Sequence, residues 1–245
     1  YCNTTGIKEM DYIIADPNLV SENEKKNYSE KIVYLPKIWN SHSGINVKRV
    51  YSQSPFVKNK FITFGSFNNF RKINDNVISV WSRILKKIPN SKLLLKSSSV
   101  LSNNLISQKF KENQILDSVE FEPFVSDFET HINLYKKVDV ALDTFPYNGV
   151  TTSFEAIWMG VPVLTMKGYN FISRCGESIN KNLNMTNLIS KNENDYFLQA
   201  CKIASDKDKL TKMREHIFNT ALSTPLFDAK EFSHQFFDKL KKLIK

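Results

Sequence analysis

Residues 138–166, VDVALDTFPYNGVTTSFEAIWMGVPVLTM, write out a strand, a loop, a helix and a second strand in one uninterrupted run. Residues 138–142 are a short apolar, β-rich segment, and Pro146, Asn148 and Gly149 then supply turn chemistry ahead of Thr151 and Thr152. Thr152 and Glu155 have the Ser/Thr-x-x-Glu spacing of a capping box, Gly160 can close the helix, and residues 161–166 read as the next buried strand. In an open parallel sheet, ligands sit beyond the carboxyl ends of the strands, and free N–H groups at a helix start attract phosphate. Thr151, Thr152 and Glu155 are therefore expected to face a nucleotide.

The same alternation extends in both directions. Upstream, residues 61–64 begin the main domain. Val77, Val80, Trp81, Ile84, Leu85 and Ile88 then share a helical face that Pro89 ends. Residues 93–95 read as the next strand, a weaker helix follows around 105–111, and 119–121 are strand-like. Ser126 and Glu129 form a second predicted capping box, opening a helix to Lys137. This alternation argues for an α/β fold with a doubly wound parallel sheet. After Leu188 and Ile189 the pattern is helical to the end, without a 34-residue repeat. Residues 11–15 read as a short strand and 41–57 mix polar and turn residues, so 1–57 are expected to form the tail of a preceding lobe with its linker, and 58–245 the main lobe.

A chain of 245 residues can bury a good core, and contents of 41% hydrophobic and 12% aromatic residues mark it as globular. No run approaches the roughly 20 apolar residues of a membrane span, and no signal segment opens the chain, so no membrane partner is expected. Cys2, Cys175 and Cys201 are odd in number and match no Cys/His ligand spacing; reduced thiols, a cytoplasmic location and no metal are expected. The net charge of +9 is spread along helices and lacks the aromatic-and-basic pattern of nucleic-acid modules. Nucleic acid is therefore not an expected partner, while part of the charge is available to a diphosphate.

Residues 141–152 (ALDTFPYNGVTT), 155–163 (EAIWMGVPV) and Ser173-Arg174-Cys175-Gly176 resemble the hallmark run of the O-linked N-acetylglucosaminyltransferases. Residues 67–73 (FNNFRKI) are similar to the family's FNNxxKI segment, residues 10–17 and 28–36 to its MDYIIAD and YSEKxVYLP elements, and PLFD at 225–228 also matches. The resemblance runs in order through nearly the whole chain. It implies a GT-B-type glycosyltransferase with two Rossmann-like lobes, the carboxyl-terminal one holding UDP. It further implies transfer of N-acetylglucosamine from UDP-GlcNAc to Ser or Thr hydroxyls of proteins, inverting and with no metal or other cofactor. Residues 1–6 (YCNTTG) are similar to the YPGTTG turn near the end of the family's first lobe, with Cys2 and Asn3 replacing Pro and Gly. By the resemblance, this chain is mainly the donor-binding half, and the rest of a first lobe and tetratricopeptide repeats would precede it.

The candidate site residues carry two readings each. Lys72 lies between a polar loop and a helix start, where an ammonium reaches a diphosphate; by residue type alone it reads as a solvated loop lysine. The resemblance makes it the catalytic lysine that holds the UDP phosphates and stabilises the leaving group. Asn69 stands where some family members carry glutamine and is expected at the nucleotide. His131, beside the buried face of its helix, reads from pattern alone as a packed histidine, whereas the resemblance sets it against the uracil ring. His42, His216 and His234 match nothing. Thr151 and Thr152 suit phosphate as well as capping, and Glu155 suits the ribose role that the family gives an acidic residue there. Lys96 reads as a weaker UDP-binding candidate or a solvated strand end, and Asn148 and Gly149 are further candidates in the turn. Asp143 reads as a structural hydrogen-bonding group, and no residue is assigned as general base. The competing expectations are a non-catalytic UDP-sugar-binding or partner-binding chain, and a relative that uses UDP-glucose or an asparagine acceptor.

Overall fold

The computed structural model describes residues 3–96 and 100–244. Near the amino end, β1 (Tyr12–Ala15) and β2 (Lys31–Tyr34) pair in parallel as a sheet of their own. The main sheet has six parallel strands, β3 (Thr63–Ser66), β4 (Lys92–Lys96), β5 (Val119–Glu122), β6 (Val140–Leu142), β7 (Val163–Met166) and β8 (Ile189–Ser190), in spatial order β5-β4-β3-β6-β7-β8. The chain winds outward from β3 through β4 to β5, then returns to β6 beside β3 and winds the other way. That reversal opens a crevice past the carboxyl ends of β3 and β6, where ligands of such sheets bind.

The helices are α1 (Phe56–Asn59), α2 (Asp75–Lys87), α3 (Val100–Glu112), α4 (Phe128–Asn133), α5 (Thr151–Trp158), α6 (Cys175–Asn182), α7 (Glu193–Ser205), α8 (Lys207–Thr220) and α9 (Ala229–Leu243). Period-two alternation along the strands divides the core between the sheet's two faces. Leu93, Leu95, Val140, Leu142 and Leu164 pack with Trp81, Ile84, Phe110 and Ala200 of α2, α3 and α7. Leu94, Ala141 and Val163 pack on the opposite side with Phe154, Ile157, Ile179 and Ile217 of α5, α6 and α8. Each fully buried Leu, Ile or Phe contributes about 1.5–3 kcal/mol, so burial on both faces explains strands that are apolar throughout.

Local chemistry sets the element ends. Asn74 caps α2 by accepting the Val77 N–H at 3.0 Å, with Asp75 in the first turn and Lys86 and Lys87 in the last. Gly160, at φ +75, follows the last turn of α5 in a conformation that favours glycine. Two expectations are corrected here. The helix expected from Ser126 to Lys137 is α4 followed by a 3₁₀ turn at Leu134–Lys137, and its cap is Asp127. The Asp127 carboxylate takes both the N–H and the hydroxyl of Thr130, at 2.7 and 2.5 Å, which displaces the Ser126–Glu129 box. The strand expected from Val138 starts at Val140, because the Asp139 carboxylate itself takes the Thr63 N–H at 2.8 Å, together with Phe56 N–H and the Ser54 hydroxyl.

The amino-terminal segment is tied to the main lobe. Tyr1 and Cys2 of the YCNTTG stretch lie outside the described residues, while Thr5 donates to Glu30 through both its N–H and hydroxyl. Buried Asp16 accepts from Ser178 Oγ of α6 at 2.6 Å and from Trp39 N at 3.1 Å. Arg174 donates to both Glu24 oxygens, at 2.6 and 2.7 Å, and to the carbonyls of Gly168 and Leu19. Among the described residues, no helix is long and apolar enough to cross a membrane.

Candidate functional site

The turn after β6 is organised by Asp143. Its carboxylate accepts Gly149 N–H at 2.6 Å, Thr144 N–H at 2.9 Å and the Thr165 hydroxyl at 2.7 Å. Burial pushes its pKa up to about 6 against the pull of these donors and of the nearby Lys72 charge. Asp143 is thus the structural acceptor that the sequence suggested. Gly149 fits because a Cβ there would lie 2.6 Å from Thr152 Oγ1, 2.9 Å from Asn68 Oδ1 and 3.1 Å from Asp143 Oδ1. Buried Asn148 spends its amide inside the turn, donating to Thr144 O and accepting from Gly176 N.

Lys72 reaches this turn from the 3₁₀ segment Phe70–Lys72 after β3. Its ammonium donates to Asn148 O at 2.9 Å and lies 4.1 Å from the centre of the Tyr147 ring. Half-buried and next to the amino end of α5, it is placed to meet an anion. Asn69 is exposed, and its side chain caps Arg71 N–H at 3.0 Å, so its observed role is local.

The capping box expected at Thr152 and Glu155 is not formed. Val150 is the N-cap of α5 and supplies no side-chain bond, so Thr152 already lies inside the helix. The Thr152 hydroxyl instead donates to Asn68 Oδ1 at 3.0 Å, while exposed Thr151 begins the helix. The first intrahelical bond is made by Ser153 N–H to Val150 O, leaving the preceding N–H groups directed out of the helix end. This is a terminus suited to phosphate.

Glu155 is buried because it turns toward α4. Its Oε2 lies 3.0 Å from His131 Nε2 and accepts the Tyr135 hydroxyl at 3.0 Å. Tyr135 also reaches Thr152 O at 3.1 Å, and Lys96 Nζ lies 2.8 Å from His131 Nδ1. His131 keeps ring contacts with Phe67 and Phe128, at 6.1 and 6.2 Å between centroids. This histidine is therefore packed and hydrogen-bonded at once, beside the crevice.

One hydrogen-bonded path joins these groups. It runs from Lys96 through His131, Glu155, Tyr135, Thr152 and Asn68 to Asp143, whose turn carries the carbonyl that holds Lys72. The structure thus brings together Lys72, Lys96, His131, Thr152, Glu155, Asn148 and Gly149, and it sets Asn69 to one side. Sequence reasoning missed Asn68, Tyr135 and Tyr147. Tyr135 was signalled by its i+4 spacing from His131, and Asn68 by its place in FNNFRKI. His42 packs against Phe154 and Phe227, while His216 and His234 are exposed. Among the described residues, no group of three or more His, Cys, Asp or Glu side chains is arranged to hold a metal.

Residues 45–236 match the model of Glycosyl transferase family 41. The probable UDP-N-acetylglucosamine–peptide N-acetylglucosaminyltransferase SPINDLY of Solanum lycopersicum is 34% identical over 240 residues, 95% of this chain and 26% of the relative. The UDP-N-acetylglucosamine–peptide N-acetylglucosaminyltransferase of Caenorhabditis elegans is 30% identical over 75% of this chain and 16% of its own length. The chain thus spans about a quarter or less of these relatives. Among solved structures, a mutant O-GlcNAc transferase of Thermobaculum terrenum superposes with a TM-score of 0.87 at 26% identity, covering 100% of this chain and 46% of that one. Anabaena HepE, solved with UDP and glucose, gives a TM-score of 0.61 at 14% identity over 95% of this chain and 63% of its own, a likeness of fold alone. The six-stranded lobe is a Rossmann-like lobe of the GT-B type, and the chain belongs to glycosyl transferase family 41.

Proposed function

We propose that this chain is the donor-binding half of a protein O-glycosyltransferase that moves N-acetylglucosamine from UDP-GlcNAc to Ser or Thr hydroxyls, with inversion and without a metal. The observation that carries this reading is the continuous network at the sheet's switch point, with Lys96, His131 and Glu155 at one end and Lys72 at the other, which suits a nucleoside and a diphosphate. The family, and the UDP-N-acetylglucosamine named for its relatives, support the donor.

In the reaction, the acceptor oxygen bonds to the anomeric carbon and loses its proton, while the bond from that carbon to the diphosphate oxygen breaks and UDP leaves. Negative charge grows on the departing diphosphate. Lys72 and the N–H groups at the start of α5 meet that charge, a task that a fixed cation and a helix dipole can perform. Glu155 accepts ribose hydroxyls, and His131 faces the base.

The test is transfer by the full-length protein, in EDTA, to a peptide pool, read by mass spectrometry. A HexNAc mass on Ser or Thr supports the proposal; a hexose mass or an asparagine linkage replaces it with a related transferase. No transfer in EDTA, restored by a divalent cation, would overturn the metal-free mechanism.

A further inference from the structure

Lys96, His131 and Glu155 stand on β4, α4 and α5, with Tyr135 in the 3₁₀ turn after α4, and the two contacts of the His131 ring admit one arrangement of its proton. An ammonium only donates, so at 2.8 Å from Lys96 Nζ the ring atom Nδ1 is an acceptor without hydrogen. A carboxylate only accepts, so at 3.0 Å from Glu155 Oε2 the ring atom Nε2 carries the hydrogen. The Tyr135 hydroxyl donates to the same oxygen. The opposite tautomer would set N–H against ammonium and a lone pair against carboxylate, losing both bonds. Lys96 and Glu155 are the charged groups facing the ring, and Tyr135 is the other titratable one. Both contacts to Glu155 fall on Oε2, and among the described residues no hydrogen bond reaches Oε1.

We propose that Lys96 is a positioning residue for nucleoside recognition: it locks His131 as the Nε2–H tautomer, and His131 with Tyr135 then holds Glu155 so that Oε1 receives the ribose diol. This rests on the donor-site reading above. Lys96 does not itself touch the nucleotide in this scheme; it acts through two side chains, from a strand end that otherwise reads as solvated. The arrangement separates recognition of the ribose from that of the diphosphate. It also makes a spectroscopic prediction that holds before any nucleotide binds.

Two measurements on the full-length protein test it. Long-range proton–nitrogen NMR correlations of the His131 ring, assigned by comparison with His131→Asn, are expected to show protonated Nε2 and bare Nδ1 near neutral pH. Lys96→Met is expected to release that lock, and Lys96→Arg to keep a donor and restore it. In calorimetric titrations, Lys96→Met and Tyr135→Phe should each weaken UDP binding roughly tenfold, the scale of a lost charge-assisted contact, yet leave 2′,3′-dideoxyuridine diphosphate almost unchanged. Equal losses for both nucleotides would show that Lys96 acts on the phosphates and would overturn the relay. An Nδ1–H ring in a wild type that binds UDP would overturn it too, with the donor site left standing. If the wild type shows the expected tautomer but binds no UDP, the donor-site reading fails, and the ribose role fails with it.

Discussion

The two ends of the proposed donor site, the phosphate end and the nucleoside end, are built from different materials. The phosphate end is a short run of consecutive residues after β6, closed by backbone N–H groups around Asp143 and by a glycine whose added Cβ would crowd Thr152 and Asn68. The nucleoside end is assembled from side chains far apart in sequence: Lys96 and His131 are separated by 35 positions and His131 and Glu155 by 24. A site made of backbone tolerates little change in shape but is indifferent to many side chains. One made of side chains is sensitive to each hydrogen bond and each protonation state.

Substitutions at the two ends should therefore fail differently. The largest effect is expected for Lys72→Ala, which should lower turnover by about 10²–10³-fold, the scale for removing a group that meets charge in the transition state. Steady-state kinetics with UDP-GlcNAc would check it, and an unchanged kcat would move the leaving-group role elsewhere.

Next is the pH dependence carried by Asp143. Its carboxyl binds a proton more tightly in the folded protein, near pKa 6, than at the ordinary value of 3.8. Stability from this group is fully present below pH 4 and is lost as the pH rises through 6, by up to about 3 kcal/mol. Asp143→Asn should flatten that part of the stability profile in denaturant titrations between pH 4 and 7. An unaltered slope would show that the proton resides elsewhere.

Gly149→Ala comes third. Its methyl would sit 2.6 Å from Thr152 Oγ1, so a loss of about 1–3 kcal/mol of stability is expected, with weaker binding of UDP and of inorganic pyrophosphate alike. A full-strength pyrophosphate titration would show that the turn is looser than its geometry.

Glu155→Gln should have the smallest effect on the fold and the most selective one on binding. About 1–2 kcal/mol of UDP affinity should go while pyrophosphate binding stays as it was, because the change lies at the nucleoside end. Parallel loss for both ligands in calorimetry would dissolve the distinction between the ends.

Legibility in the sequence follows the same division. The phosphate end could be read locally, since Pro146, Asn148 and Gly149 precede Thr151 within one short run that also matches the family hallmark. At Thr152 and Glu155 the sequence suggested a capping box that the folded chain does not form. The capping spacing is present, yet Asn68 and His131 offer these side chains partners that lie next to them only in the folded chain. Ser126 lost its cap to Asp127 for a nearer reason, because a carboxylate one position on captures both Thr130 donors.

By itself, the sequence determined the alternation of strand and helix, the apolar strands of a sheet covered on both faces, the turn after β6 and the family. These depend on residues within a few positions of each other, where periodicity and turn chemistry operate. Only the tertiary structure decided that Lys96 meets His131, that both contacts on Glu155 share one oxygen, and that Asn68 links the β3 loop to α5. Those facts depend on strand order, since β3, β4 and β6 become neighbours through crossovers that no local pattern encodes.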